Sequence, residues 1–308
     1  MKILISGATG LVGSALMRRA RDLGDEPVQL ARPGASNRGP AARGSHTSVT
    51  WDAAAGTLGS GAEGADAFVH LAGASIAQGR WTAHRKRILR ESRVDATHQL
   101  VGALRKLRQP PSVFVAASAV GVYGDRGDEI LSETTCPGGD FLAALSRDWE
   151  AESDAATAFG ARVVLLRFGV ILARGGGALP RMVLPFRLGA GGPIGSGKQW
   201  MSWIALEDAV SIIYFALRTN SAKGPVNAVA PSPVRNADFA QVLGRVLHRP
   251  AFVRTPSFVL RLALGEVADA LLLSSQRAIP ESLGRLGYEF KYPELRPALE
   301  SVLKRARP

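Results

Sequence analysis

The sequence predicts an α/β fold: a doubly wound parallel sheet with helices on both faces, followed by a smaller, mainly helical C-terminal domain. Three observations predict it. The first is the stretch Ser6-Gly7-Ala8-Thr9-Gly10-Leu11-Val12-Gly13, which separates an apolar run at residues 2–5 from a helix-like run at residues 11–23. The second is the alternation of short apolar runs with longer helical patterns up to about residue 170, the mark of βαβ units whose strands are covered on both faces. The third is a change of texture after Ile171, first to a Gly/Pro-rich region at 173–198 and then to helical segments broken by Pro250, Pro256, Pro280 and Pro293. A Rossmann arrangement over residues 1–170 follows, with residues 205–230 returning to it and residues 171–308 forming a substrate or cap domain.

The glycine stretch reads G-x-x-G-x-x-G. Directly after a first strand, one Gly permits the sharp turn, one lets backbone N–H groups approach a pyrophosphate, and one lets helix and strand pack closely. The helix start adds unpaired N–H donors and a partial positive charge. Gly7, Thr9, Gly10, Leu11, Val12 and Gly13 are therefore candidate dinucleotide contacts. A second strand is predicted at 27–31, ending at Arg32, with a Pro/Gly/Ser-rich loop at 33–48 and a short strand at 49–52. The buried strand at 67–72 stops at Gly73. One long helix is expected over 82–107, ended by Pro110-Pro111. Strands at 113–117 and 162–168 flank a Gly/Asp/Glu-rich loop (121–140) and a helix (141–159). Beyond the Gly/Pro-rich region, 205–217 reads as a helix and 225–229 as a strand.

The 308 residues carry 38 Lys and Arg against 26 Asp and Glu, a formal net charge of +12. The basic residues are scattered, and the one local cluster, Arg85-Lys86-Arg87, reads as a solvated helix face, so no nucleic-acid partner is expected. The single cysteine, Cys136, excludes an internal disulfide, and no metal site is expected from the five histidines. His70 reads as a strand-end packing residue. With a strand beginning at Lys2 and the apolar segment 256–273 interrupted by Arg261, Glu266 and Asp269, the expectation is a cytoplasmic chain with no membrane span. That segment is a buried or interface helix, which leaves a homo-oligomer open. Gly192-Pro193-Ile194-Gly195-Ser196-Gly197-Lys198 resembles a phosphate-binding loop, but Gln199 stands where Ser or Thr would hold Mg²⁺ and no strand precedes it. Gly175-Gly176-Gly177, between Arg174 and Arg181, is either a surface loop or an entry for an anionic substrate.

Two cations narrow the cofactor. An NAD site usually places an acid at the end of the second strand. Arg32 stands there instead, 19 residues after Gly13, and its planar fork suits a 2′-phosphate, which favours NADP(H). Arg93 shares a helix face with Leu89, Thr97, Leu100, Leu104 and Leu107, so it needs an anionic partner: a cofactor phosphate or an acidic neighbour. Leu71-Ala72-Gly73 and Ser118 end strands whose C-terminal ends face the cofactor crevice, and Ser118 is placed to reach the reacting end.

Ser6 to Gly13, His70-Leu71-Ala72-Gly73 and Ser118-Ala119-Val120-Gly121-Val122-Tyr123-Gly124 resemble the extended short-chain dehydrogenase/reductases, the nucleotide-sugar epimerase and dehydratase class. Gly79-Arg80-Trp81, Asp148-Trp149-Glu150, Leu166-Arg167-Phe168-Gly169-Val170-Ile171-Leu172 and Asn227-Ala228-Val229-Ala230-Pro231 are similar to an atypical branch, the SulA-like epimerase family proteins. The resemblance spans essentially the whole chain. It implies NADP(H) held at positions matching Arg32, Leu71-Ala72, Arg93 and Ile171, and an oxidoreductase or epimerase-like enzyme acting on a small substrate such as a nucleotide sugar or carbonyl compound. The wider superfamily uses a Tyr-x-x-x-Lys pair on the helix after the Ser-bearing strand. Here no Tyr occurs between Tyr123 and Tyr214, and no Lys between Lys106 and Lys198. In the redox reading Ser118 polarises a carbonyl while Tyr123 or a water supplies the proton. The other reading is a non-catalytic NADPH-binding regulatory protein, which the branch name links to cell division.

Overall fold

A computed structural model of the chain describes residues 1–33, 47–53 and 55–303. Most of the predicted loop at 33–48 lies outside the described residues. Seven parallel strands and one antiparallel strand form the main sheet: β1 (Lys2–Ser6), β2 (Glu26–Ala31), β3 (Ser48–Asp52), β4 (Thr57–Leu58), β5 (Ala67–His70), β6 (Val113–Ala119), β8 (Arg162–Phe168) and β12 (Gly224–Ala228), where β7 (Ile130–Leu131), β9 (Val170–Leu172), β10 (Trp200–Met201) and β11 (Trp203–Ala205) lie outside it. The spatial order is β12-β8-β6-β5-β1-β2-β3-β4, with only the β3–β4 pair antiparallel. The order reverses between β1 and β5, and a crevice opens at such a switch point beyond the carboxyl ends of the strands.

Period-two alternation sorts the strands' side chains onto two faces. Ile3, Ile5, Val69, Val115, Val164 and Leu166 pack with residues of α1 (Leu11–Asp22) and α6 (Leu206–Arg218). Leu4, Phe68, Phe114, Ala116 and Leu165 pack on the opposite face with Leu100, Val101 and Leu104. The expected helix over 82–107 is in fact two helices, α2 (Ala83–Arg90) and α3 (Ala96–Arg105), joined by a π-helical turn at Glu91–Asp95. The expected helix at 141–159 ends as α4 (Phe141–Asp154), followed by a 3₁₀ turn. The region after β9 contains α5 (Leu179–Arg187), α7 (Asn236–Leu247), α8 (Ser257–Leu264) and α9 (Glu266–Ala268), then β14 (Arg277–Ala278), α10 (Glu281–Arg285) and α11 (Leu295–Leu303), with β13 (Val234–Arg235) pairing β10. A third core joins Leu172, Leu179, Phe186, Trp203, Phe239, Leu243 and Leu299.

The apolar segment at 256–273, expected as a buried or interface helix, is buried only at Val267 and Ala268. No residue of α8 is buried, and Phe258 and Leu262 are 68% and 76% exposed. Among the described residues no helix is long and apolar enough to cross a membrane, and no group of three or more His, Cys, Asp or Glu residues is placed to hold a metal ion.

Candidate functional site

The glycine turn between β1 and α1 is shaped by contacts that forbid side chains. Gly7 has φ +71°, and a Cβ there would lie 2.7 Å from the Leu71 carbonyl carbon and 2.8 Å from the Ala72 nitrogen. A Cβ on Gly13 would lie 2.2 Å from the Gly7 carbonyl oxygen. The turn therefore packs directly on the end of β5. Gly10 is the N-cap of α1; no side chain caps the helix, and its first turn carries no acid. The N–H groups at its start stay available to an anion. Arg32 lies exposed just past β2. Ile171 in β9 comes to the other side of this turn: a Cβ on Gly177 would lie 3.1 Å from Leu11 Cδ2 and 3.6 Å from the Ile171 carbonyl oxygen.

Arg93 sits within the π turn, where the helix widens by one residue; such turns recur at functional sites. Its guanidinium donates to the Ala74 carbonyl at 2.9 Å and lies 5.2 Å over the Trp149 ring. Gly73 makes room for it, since a Cβ there would be 3.2 Å from Arg93 Cζ. Of the two partners open from sequence, an acidic neighbour is absent among the described residues: no ion pair involves Arg93. Burial, followed by the charge of Arg85, lowers its pKa to about 10. A partly buried guanidinium held on carbonyl oxygens beside a phosphate-sized glycine cradle fits an anionic cofactor, as does Arg32 for a 2′-phosphate.

His70 supports this arrangement from beneath. It is fully buried, with Nδ1 2.6 Å from Ser6 Oγ and Nε2 2.9 Å from Thr97 Oγ1. Thr97 donates its only hydroxyl proton to the Arg93 carbonyl and accepts from Trp149 Nε1 at 3.0 Å. Its oxygen must then accept from His70 as well, so the Nε2–H tautomer is the one that satisfies the chain, with Ser6 donating to Nδ1. Burial, then the charge of Arg93, lowers the His70 pKa to about 4. The unfolded chain takes up this proton below about pH 6.5 and the folded chain does not, so stability is full above that pH and falls as pH drops towards 4. The loss reaches about 3 kcal/mol from this one group. Urea unfolding between pH 7.5 and 4.5 should lose about that much more in the natural protein than in His70→Gln; parallel losses would refute the assignment.

Ser118 belongs to a second buried network. The parallel register sets Ser118 of β6 beside Arg167 of β8, and Arg167 beside Asn227 of β12. Ser118, 5% exposed, donates from Oγ to Glu150 Oε1 at 2.6 Å. Glu150, on the buried face of α4, also takes a two-pronged pair from Arg167, at 2.8 Å from Nε and 2.7 Å from Nη2. Burial alone would lower the Arg167 pKa, but the hydrogen bonds and charge of Glu150 outweigh it and raise it. Arg167 donates to the Tyr123 hydroxyl at 3.0 Å, and that hydroxyl donates to Asn227 Oδ1 at 2.7 Å.

This geometry changes both candidate catalytic roles. Tyr123 has no exposed surface and its hydroxyl proton is committed to Asn227, so it is not presented to a reacting group, and burial pushes its phenol pKa up. A hydroxyl has one proton, and Ser118 gives it to Glu150; towards the crevice Ser118 therefore offers an acceptor rather than the donor needed to polarise a carbonyl. Sequence reading missed Glu150, Arg167 and Asn227. A signal was present: Arg167 follows the apolar run 163–166 and precedes Phe168 within one strand, and an Arg so enclosed demands a buried anion. A cavity of about 250 Å³ lies between the start of α4 and the C-terminal helices, lined in part by Trp81, Phe141, Leu142, Glu266 and Asp269.

A family model described as the NAD dependent epimerase/dehydratase family matches residues 3–229, and one described as a domain of unknown function (DUF1731) matches residues 255–302. The chain is 40% identical over 298 residues to epimerase family protein MT2273 of Mycobacterium tuberculosis, covering 96% of each. It is 38% identical over 307 residues to epimerase family protein SDR39U1 of Homo sapiens, covering 98% of this chain and 100% of the relative. A crystal structure of that human protein (isoform 2) with NADPH aligns with a TM-score of 0.87 at 37% identity, covering 98% of this chain and 99% of that one. UDP-galactose 4-epimerase, at a TM-score of 0.72 and 18% identity, shares the fold alone. Glycine cradle, switch-point crevice and full-length relatives agree: the chain belongs to the NAD dependent epimerase/dehydratase family.

Proposed function

We propose that the protein is an NADP(H)-binding oxidoreductase or epimerase-like enzyme acting on a small substrate. The observation that carries the reading is Arg93, a partly buried cation with no carboxylate partner among the described residues, placed against Gly73 at the end of β5. The solved human relative containing NADPH supports it, as does Arg32 in place of an acid after β2. Bound NADP(H) would supply hydride transfer. Gly7, Thr9, Gly10, Leu11, Val12 and Gly13 would hold its pyrophosphate, Arg32 its 2′-phosphate, and Leu71, Ala72, Gly73, Arg93 and Ile171 would line the rest. Ser118, its proton fixed on Glu150, would accept a hydrogen bond from a substrate hydroxyl and orient it. This suits an alcohol as the bound form.

NADPH and NADH titrations, read by cofactor fluorescence, test the reading. Arg32→Ala should weaken NADPH by about tenfold or more and NADH by less than twofold, the size expected for losing charged contacts to one phosphate; equal losses would overturn the 2′-phosphate assignment. Commitment of the Tyr123 hydroxyl to Asn227 favours a second reading, a non-catalytic NADPH-binding protein. Tight NADPH binding without turnover of alcohols, ketones, aldehydes or nucleotide sugars would select it.

A further inference from the structure

Four successive carbonyls in the loop after β5 each accept a hydrogen bond from a different side chain. Ala74 takes Arg93, Ser75 takes Arg85, Ile76 takes Trp81 and Ala77 takes Arg181. Three guanidiniums thus converge on one short loop from three places: α2, the π turn and α5. Carbonyls carry only partial charge, and among the described residues none of the three arginines makes an ion pair. Arg93 feels the positive charge of Arg85 directly. Arg85 was expected on a solvated face, yet its Nε is buried and has no hydrogen-bond partner in the structure. Its neighbour Lys86 is met by Glu266 of α9 at 2.6 Å, whereas no carboxylate among the described residues reaches Arg85. The like charges of the half-buried Arg85 and Arg93 repel one another until an anion joins them, and the exposed Arg181 reaches the same loop from solvent.

Resting on the NADP(H) reading, which engages Arg93, we propose that Arg85 and Arg181 form an anion subsite beside residues 74–77 that takes a carboxylate or phosphate group of the substrate. The cofactor would neutralise the inner guanidinium, and the two outer ones would select substrates that carry a compact oxyanion. A guanidinium fork matches such groups in geometry as well as charge. The Gly175-Gly176-Gly177 turn, which approaches Leu11 and is followed by α5 bearing Arg181, would form the opposite lip.

The test is titration of the NADPH-saturated protein with inorganic phosphate at ionic strength held constant with chloride. Binding is read by calorimetry and by tryptophan fluorescence, since Trp81 donates into the same loop. The unaltered protein should bind phosphate saturably. The double variant Arg85→Ala/Arg181→Ala should bind it at least tenfold more weakly while keeping NADPH affinity within twofold, and Arg105→Ala at the end of α3 should match the unaltered protein. Absence of saturable phosphate binding overturns the subsite. So does a loss of NADPH affinity equal to the loss for phosphate, which would give both arginines to the cofactor. If the unaltered protein fails to bind NADPH, the proposed function falls separately. Phosphate titration of the free protein then decides the subsite, and equal affinities in the unaltered protein and the double variant overturn it. Circular dichroism melts confirm that the variants are folded.

Discussion

Arg93→Ala is expected to weaken NADPH binding by roughly 30- to 160-fold, the equivalent of about 2–3 kcal/mol for charged hydrogen bonds to an anion. Without cofactor no anion among the described residues meets the Arg93 side chain. Its partners are the Ala74 and Leu89 carbonyls, Ser92 and the Trp149 ring, which do not neutralise its charge. The unliganded protein should therefore lose little stability on truncation, within about 1 kcal/mol, because relief of a desolvated charge offsets lost packing. A merely structural arginine would show the reverse: a clear fall in unfolding free energy with NADPH affinity unchanged. Fluorescence titration and urea unfolding on the same preparation separate the two outcomes. Arg93→Lys should recover only part of the affinity, since an ammonium cannot span the guanidinium's contacts.

Glu150→Ala should lower the unfolding free energy by about 3–5 kcal/mol, because it strands the Arg167 guanidinium in the interior without an anion. Arg167 is 5% and Glu150 8% exposed, so water does little to screen the loss. The double variant Glu150→Leu/Arg167→Met removes both charges and should regain most of that stability, although the Ser118 and Tyr123 hydroxyls each then lose one partner. Urea transitions of the natural protein, the single variant and the double variant form the measurement. A single variant within about 1 kcal/mol of the natural protein would show that the pair is solvated and does not organise the network.

Much of the frame is legible in local patterns. Strands β1, β2, β5, β6 and β8 coincide with apolar runs bounded by Gly, Pro or charged residues, because a buried parallel strand must be apolar on both faces. The π turn was not legible. Glu91-Ser92-Arg93-Val94-Asp95 contains neither Gly nor Pro, and the same heptad-like spacing that predicts a continuous helix also permits one extra residue in a turn. The partners of Tyr123 are not legible either, because its position in the chain, just beyond β6, says nothing of the side on which Asn227 and Arg167 meet it.

By itself the sequence determined the glycine cradle, since Gly7, Gly10 and Gly13 act through backbone geometry only a few residues long. It also placed Arg32 just past the end of β2, since that position follows from where one strand ends. Only the tertiary structure decided the two charged assemblies. Parallel register sets Ser118, Arg167 and Asn227 side by side, and the packing of α2 and α5 around the loop after β5 gathers Arg93, Arg85 and Arg181 on the carbonyls of Ala74, Ser75 and Ala77. Residues separated by dozens of positions become neighbours through strand pairing and helix docking. No local spacing records that juxtaposition, and what it does to a proton or a charge depends on burial that exists only once the chain has folded.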